Sequence, residues 1–381
     1  MKRIYVDNAS TTPLATSVIE KITHAMEHSY GNPSSIHYHG RQIKTMVEEA
    51  RKIVAQTIHA SVSEIFFTSS ATEANNTVLL RAQEDLHIDT IITSPTEHHC
   101  ILHTLDYLKA KKGLKVKYLS VDTLGRIDLS ELDEKLLEYK GKNVLVSLMH
   151  GNNEIGTIHP IDKIGEKCKE HGAYFHSDTV QTIGKLNIDV NRVNVNFISA
   201  SAHKFHGPKG VGFLYMRSDS ILQPLIYGGA QERNFRAGTE NVTGIIGLAE
   251  ALKTSIANRE EDQLYLKKLK NYFIQKLLIE VSEVKINGNY SDETLNHIIS
   301  VSFPDGPKAD MLMFNLDIAG ISASSGSACS SGIEQDSHVL IAIGHDPRRK
   351  TIRFSLSTFN TYEEMDEVIS TLKLLSPGYD E

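Results

Sequence analysis

Short β-branched runs alternate with helix-length amphipathic stretches along most of this chain, and that alternation constrains its fold more than any other feature. Residues 64–68, 90–94, 115–120, 143–148, 173–177, 196–199 and 211–215 read as strands. Between several of them lie periodic segments such as 160–171, where Ile161, Ile164 and Cys168 recur near helical spacing. Parallel neighbours need a crossover, usually a helix, so the pattern predicts an α/β domain around a mostly parallel sheet. Residues 248–281 read as one long helix or two, and the turn Asn287-Gly288-Asn289 marks a change of domain. Beyond it, 297–303 and 351–356 read as strands of a smaller α+β unit. The expected division is a large α/β domain of residues 16–255 and a small α+β domain of residues 1–15 with 256–381.

Composition narrows the function classes. The chain has 381 residues, 40% of them hydrophobic, enough for a sizeable core. Its formal charge of -7, from 40 basic and 47 acidic side chains, argues against bulk attraction to nucleic acid or anionic membranes. The start, Met1-Lys2-Arg3-Ile4-Tyr5-Val6-Asp7, turns polar at once, with no signal-peptide core. No uncharged apolar run is long enough to span a bilayer. Three widely spaced cysteines, Cys100, Cys168 and Cys329, make no disulfide framework, so a reducing cytosol is the simplest setting.

Chemistry concentrates in two places. One is Ser324-Ser325-Gly326-Ser327-Ala328-Cys329-Ser330-Ser331-Gly332, a single thiol among small residues that leave its sulfur unshielded. Structural cysteines usually sit among bulky apolar neighbours, so this setting favours a reactive role. The other is the set of polar residues that follow the predicted strands, where parallel sheets deliver functional groups. These are Ser70-Ala71-Thr72, Thr96-Glu97-His98-His99, Asn152-Asn153-Glu154, Asp178-Thr179-Val180-Gln181 and Ser201-Ala202-His203-Lys204. The turn at 70–72 suits a phosphate, though Thr72 is equally a good helix N-cap.

Together these residues meet the needs of pyridoxal 5'-phosphate (PLP): a lysine amine for a Schiff base, a carboxylate for the ring nitrogen, an anion cradle and a planar partner. Lys204, Asp178, the 70–72 turn and His98 fill those places. Each has a bland alternative, as a solvated lysine, a helix-capping aspartate and a satisfied histidine, and the conjunction is what favours the cofactor.

At this point the chain resembles the cysteine desulfurases of the NifS/IscS type, class-V aminotransferase-group members of the fold-type I PLP enzymes. The resemblance runs nearly end to end. It is carried by Tyr5-Val6-Asp7-Asn8-Ala9-Ser10-Thr11-Thr12, Gly31-Asn32-Pro33-Ser34-Ser35, Thr96-Glu97-His98, Asn152-Asn153-Glu154-Ile155-Gly156, Ala202-His203-Lys204, Arg236-Ala237-Gly238-Thr239-Glu240-Asn241, Ser324 to Cys329, and Ile352-Arg353-Phe354-Ser355. The resemblance implies conversion of L-cysteine to L-alanine, with sulfur kept as a persulfide on Cys329. It makes Lys204 the Schiff-base lysine and proton-transfer base, Asp178 the ring-nitrogen partner and Gln181 the partner of the phenolic oxygen. His98 would stack on the ring and move protons. Ala71, Thr72, Ser201 and His203 would hold the phosphate, and Thr239 would reach the phosphate of a neighbouring subunit in a homodimer. Asn153 matches a position facing both cofactor and substrate, Asn32 a substrate-facing position, and Arg353 the bidentate clamp for a carboxylate.

Three positions depart from the family pattern: Ser70, Ala202 and Ala230 stand where glycine is usual. A side chain at a position that needs positive φ would add strain of about 1–2 kcal/mol. Two alternatives to the activity are a selenocysteine lyase and a catalytically silent PLP-binding scaffold. His99 and His103 flank Cys100 at metal-like spacing, but no carboxylate or second pair completes a set, which favours an ordinary helix face. Cys100 and Cys168 read as apolar fillers. The persulfide would pass to an acceptor protein, either a sulfurtransferase of the tRNA thiouridylase type or an iron–sulfur scaffold. The longer cysteine loop and short C-terminal end resemble the tRNA-thiolation branch, with no direct RNA contact expected.

Overall fold

A computed structural model of the chain describes residues 3–290, 293–325 and 337–376, so Cys329 lies outside the described residues. The strands are β1 Ile4–Tyr5, β2 Ile65–Thr68, β3 Thr90–Thr93, β4 Lys115–Tyr118, β5 Val144–Ser147, β6 Tyr174–Asp178, β7 Phe197–Ser201, β8 Gly212–Met216, β9 Lys285–Asn287, β10 Ile298–Phe303, β11 Ile321–Ser322 and β12 Lys350–Ser355. Seven of them form one sheet in the order β2-β8-β7-β6-β5-β3-β4. β8 is antiparallel to both its neighbours, while β7, β6, β5, β3 and β4 pair in parallel. This is the mostly parallel α/β sheet that the alternation predicts.

Its strands are buried on both faces. Successive residues point to opposite sides, so Phe67, Val146, Ile198 and Phe213 enter one core and Phe66, Leu145, Phe197 and Leu214 the other. Parallel strands carry their carboxyl ends to one edge, and the loops after β2, β3, β5, β6 and β7 gather there. Gly212 opens β8 at that edge, opposite Thr68 and Ser201. A Cβ on it would lie 2.3 Å from the Ala200 carbonyl oxygen and 2.9 Å from the Ser70 carbonyl carbon, so only glycine allows this closure.

The second sheet, β12-β10-β9, is antiparallel. Its core holds Phe273, Leu277, Val301, Phe354 and Val368, with Ile4 and Val6 of the N-terminal segment. Residues 248–281 belong to two helices, Val242–Ala257 and Arg259–Glu280, separated at Asn258. The first packs its apolar side on the large sheet's core and the second on the small sheet's core. β1 pairs in parallel with β11, and Asp7 bridges to Ser355, so the N-terminus is stitched to the second unit.

After β5 the chain makes a tight loop closed by the Gly151–Ile158 bridge and by the His159 N–H to His150 carbonyl bond of 2.9 Å. Both imidazoles are buried, and neither ring nitrogen of His159 has a partner among the described residues. Burial pushes His150 down to about 3 and His159 to about 4, below the ordinary value of about 6.5. The unfolded chain therefore binds protons that the fold refuses, and stability falls as pH drops from about 6.5 toward 4. Replacing His159 by Leu should flatten that slope by up to about 1.4 kcal/mol per pH unit. Urea unfolding at pH 7 and pH 5 measures it, and an unchanged slope contradicts the assignment.

Candidate active site

A cavity of ≈ 370 Å³ opens at the carboxyl edge of the large sheet. It brings together Lys204, His98, Asp178, Gln181, Ala71, Thr72, Ser201, His203, Asn153 and Arg353. Two other sequence candidates lie elsewhere. Asn32 is exposed, its side-chain oxygen accepting from the Ser34 N–H at 2.9 Å in a local turn. Thr239 is also exposed and lines a separate cavity of ≈ 240 Å³ with Ser69, Arg236 and Glu240. Arg236 ties that segment back to the first cavity through its ion pair with Glu73, in the first turn of helix Ala71–Asp85.

Lys204 ends a single 3-10 turn after β7. Its Nζ donates to the Ala9 and Ser10 carbonyls at 2.7 and 2.8 Å, reaching the N-terminal segment that crosses the cavity. Asp178 ends β6. Its Oδ1 accepts from the Val180 N–H at 3.0 Å and its Oδ2 from Asn75 Nδ2 at 2.8 Å. Asn75 was not anticipated from the sequence. It is wholly buried, and its Oδ1 accepts from His176 Nε2, whose Nδ1 in turn faces Ser147 Oγ. That relay leaves the Asn75 amide one orientation, with nitrogen toward the carboxylate. Burial holds His176 neutral, its pKa pushed down to about 3.

His98 caps helix His99–Lys112, its Nδ1 accepting the Cys100 N–H at 3.1 Å, so the neutral ring carries its proton on Nε2. Its pKa lies below the ordinary value, first through burial and then through Lys204, with Asp178 opposing. His338 lines the same cavity and donates from Nε2 to the Glu97 carbonyl at 2.8 Å. The Glu97 carboxyl is fully buried and raised well above its usual range, first by burial. Among the described residues no group of three His, Cys, Asp or Glu side chains is arranged to hold a metal.

The turn at 70–72 opens a helix at the cavity's edge. Ser70, not Thr72, is the N-cap of helix Ala71–Asp85, and the Ala71 N–H donates to Ser201 Oγ at 2.8 Å. Ser70 is extended, at φ -173, Ala230 lies at φ -81, and Ala202 is not among the positive-φ residues. None of the three glycine departures therefore costs backbone strain. Strain sits instead at Glu232, Arg233 and Asn234, with φ of 45, 57 and 65. The buried Glu232 carboxylate holds that turn by accepting from Arg51 at 2.6 and 2.8 Å and from the Phe67 N–H at 2.8 Å.

Arg353, in β12, is 2% exposed. Nη1 donates to the Asn153 carbonyl at 2.9 Å, and Nη2 to Asp7 Oδ1 at 3.0 Å and Ser10 Oγ at 2.7 Å. Its Nε is buried with no partner among the described residues.

The cavity thus holds an amine, a shielded carboxylate, a planar ring and a helix N-terminus. Residues 4–368 match the family described as Aminotransferase class-V. The chain belongs to the class-V aminotransferase family. It is 44% identical over 371 residues, 96% of each chain, to a Bacillus subtilis protein named putative cysteine desulfurase IscS 1. It is 41% identical to cysteine desulfurase IscS of Dictyoglomus turgidum, covering 99% of this chain and 97% of that one. Among solved structures, a NifS-like protein superposes with a TM-score of 0.90 at 38% identity, over 98% of this chain and 99% of the other. The chain is thus of the NifS/IscS type within the class-V family, and that family's cofactor is PLP.

The residues present fit that cofactor. The cavity's free volume is on the scale of a small-molecule site. It offers an amine at Lys204, a carboxylate at Asp178 ordered by two donors, and N–H groups at a helix start.

Two of the three cysteines are described. The Cys100 thiol lines the cavity, but burial and then Asp178 push it up to about 12, and burial raises Cys168 further. Both stay protonated at neutral pH and are poor nucleophiles. Iodoacetamide at pH 8 should therefore leave Cys100 and Cys168 unmodified in the folded protein, as read by peptide mass mapping. Labelling of Cys100 at the rate of free cysteine would overturn this.

Proposed function

We infer that the chain is a PLP-dependent cysteine desulfurase, converting L-cysteine to L-alanine and retaining the sulfur as a persulfide on Cys329. The observation that carries this is one cavity shared by Lys204, Asp178, His98 and the buried Arg353. When bound, PLP supplies an electron sink that makes the substrate's α-hydrogen acidic. Asp178 is the negative charge that faces the ring nitrogen, kept in place by Asn75 and the Val180 N–H. Ala71, Thr72, Ser201 and His203 would hold the phosphate, Gln181 would serve the phenolic oxygen and Asn153 would serve cofactor and substrate, all of them lining the one cavity. Arg353 binds the substrate carboxylate with the donors left after Asp7, Ser10 and Asn153 are served.

Lys204 takes the α-proton on its Nζ. His98, neutral and protonated on Nε2, moves protons beside it. The Cys329 thiolate attacks the substrate sulfur: a sulfur–sulfur bond forms, the carbon–sulfur bond breaks with its electron pair left on the carbon skeleton, and protons delivered to the β and α carbons release alanine. Cys329 is the remaining thiol once Cys100 and Cys168 are held protonated. The activity names carried by relatives at 40–44% identity favour neither a selenocysteine lyase nor a silent scaffold.

The finer reading is that residues 16–255 and the flanking segments act as two domains of one protomer in a cytoplasmic homodimer, with Thr239 reaching the phosphate of the neighbouring subunit and Asn32 facing substrate. Support for the shared site is the exposure of Thr239, which lines a cavity other than the one around Lys204. No helix of the described residues is long and apolar enough to cross a membrane. The acceptor is a sulfurtransferase of the tRNA thiouridylase type or an iron–sulfur scaffold. The net charge of -7 favours a protein acceptor over RNA itself. Cys329→Ala should keep the yellow colour and still change its spectrum with cysteine, yet release no alanine. Intact-mass analysis of the native enzyme after cysteine should find one added sulfur, absent in the variant. Normal alanine release by Cys329→Ala would refute the assignment.

A further inference from the structure

We propose that His297 is a positioning residue that fixes the side-chain amide of Gln181 and so sets the donor it offers to the cofactor's phenolic oxygen. This rests on the reading that Gln181 faces that oxygen. Gln181 lines the cavity just after β6 and is buried. Its Nε2 donates to the Ala9 carbonyl at 3.0 Å, and its Oε1 lies 3.1 Å from His297 Nε2. A carbonyl can only accept, so the amide nitrogen must lie on the Ala9 side and Oε1 must face the imidazole. His297 must then carry its proton on Nε2. One N–H of the Gln181 amide remains, and that is the donor available to an oxygen ligand in the cavity.

His297 suits this task because its proton affinity lies well below the ordinary imidazole value, first through burial. It is 2% exposed, and the charged groups that depress its proton affinity after burial are all cations: Lys185, Lys270, Arg353 and Lys204. A neutral imidazole has one proton and one lone pair, so proton placement is settled by the glutamine oxygen. The ring's position is set by the other unit. His297 immediately precedes β10, and its carbonyl accepts the Leu356 N–H at 2.8 Å. Lys270, on helix Arg259–Glu280, donates to the Leu295 carbonyl at 2.9 Å just before it. The small sheet thereby reaches across to orient a group in the large sheet's cavity. Without the His297 donor, Oε1 loses that partner and the amide is anchored by the Ala9 carbonyl alone, which leaves its remaining N–H free to swing away from the ligand oxygen.

The test is made on the holoenzyme with three variants. His297→Leu fills the space without a donor, His297→Gln places an amide N–H near the Nε2 position, and Gln181→Leu removes the group being oriented. The readouts are the PLP dissociation constant and the pH midpoint of the visible absorbance band. His297→Leu should weaken PLP binding by about tenfold, as expected for one lost buried hydrogen bond, and shift the midpoint. His297→Gln should stay within about twofold of the native enzyme. Adding His297→Leu to Gln181→Leu should cost nothing further. If Gln181→Leu changes both readouts and His297→Leu changes neither, the proposal fails while the role of Gln181 stands. If Gln181→Leu itself changes nothing, the underlying reading fails and takes the proposal with it. Equal loss in the Leu and Gln variants of His297 would mark a packing role and overturn the proposal. Should His297→Leu not fold, His297→Asn, too short to reach Oε1, replaces it with the same expectation.

Discussion

The buried guanidinium of Arg353 organises this molecule. A charge taken out of water must be paired and hydrogen-bonded or it costs several kcal/mol. Arg353 meets that demand by drawing in three separate segments: Asp7 and Ser10 from the N-terminus, the Asn153 carbonyl from the loop after β5, and its own strand β12 from the small sheet. Its backbone also exchanges two bonds with Ser324, at 2.7 and 3.3 Å. On the far side of the 326–336 segment, Ser337 Oγ donates to the Glu154 carboxylate at 2.5 Å, and Glu154 adjoins Asn153. The flank at Ser324 is thus fastened to β12 and the flank at Ser337 to the loop after β5.

Around that cation the site is built from neutral imidazoles whose tautomers are dictated by their neighbours. His98 accepts a helix N–H, His176 donates to Asn75, and His297 donates to Gln181. Each choice propagates one step, from ring to amide to the carboxylate or to the N–H that faces the cavity. Burial keeps these rings uncharged, which makes the polarity of each relay independent of pH over the neutral range.

The strands were legible because burial on both faces demands continuous apolar runs, and the runs at 64–68, 90–94 and 143–148 fall within a residue of β2, β3 and β5. Lys204, Asp178 and His98 were legible for a related reason: each follows a strand of a parallel sheet, and each is chemically unusual there. Asn75 and His176 were not. An asparagine within a helix and a histidine within a strand carry no local signal, and their pairing spans 101 residues of chain. The same holds for Glu232, whose carboxylate locks a strained turn to Arg51 across 181 residues.

The local pattern of the chain determined the α/β class, the edge at which polar residues gather and the candidate residues Lys204, Asp178 and His98, because hydrophobic period and strand-end polarity are properties of neighbouring residues. Whether Ser70, Ala202 and Ala230 strain the backbone was decided only by the folded φ angles, which leave all three outside the left-handed region. Only the tertiary structure decided the orientation of each amide and imidazole, and the closure of two units around Arg353. Those depend on which buried donor meets which acceptor, a pairing that arises between segments hundreds of residues apart and is written in no one of them.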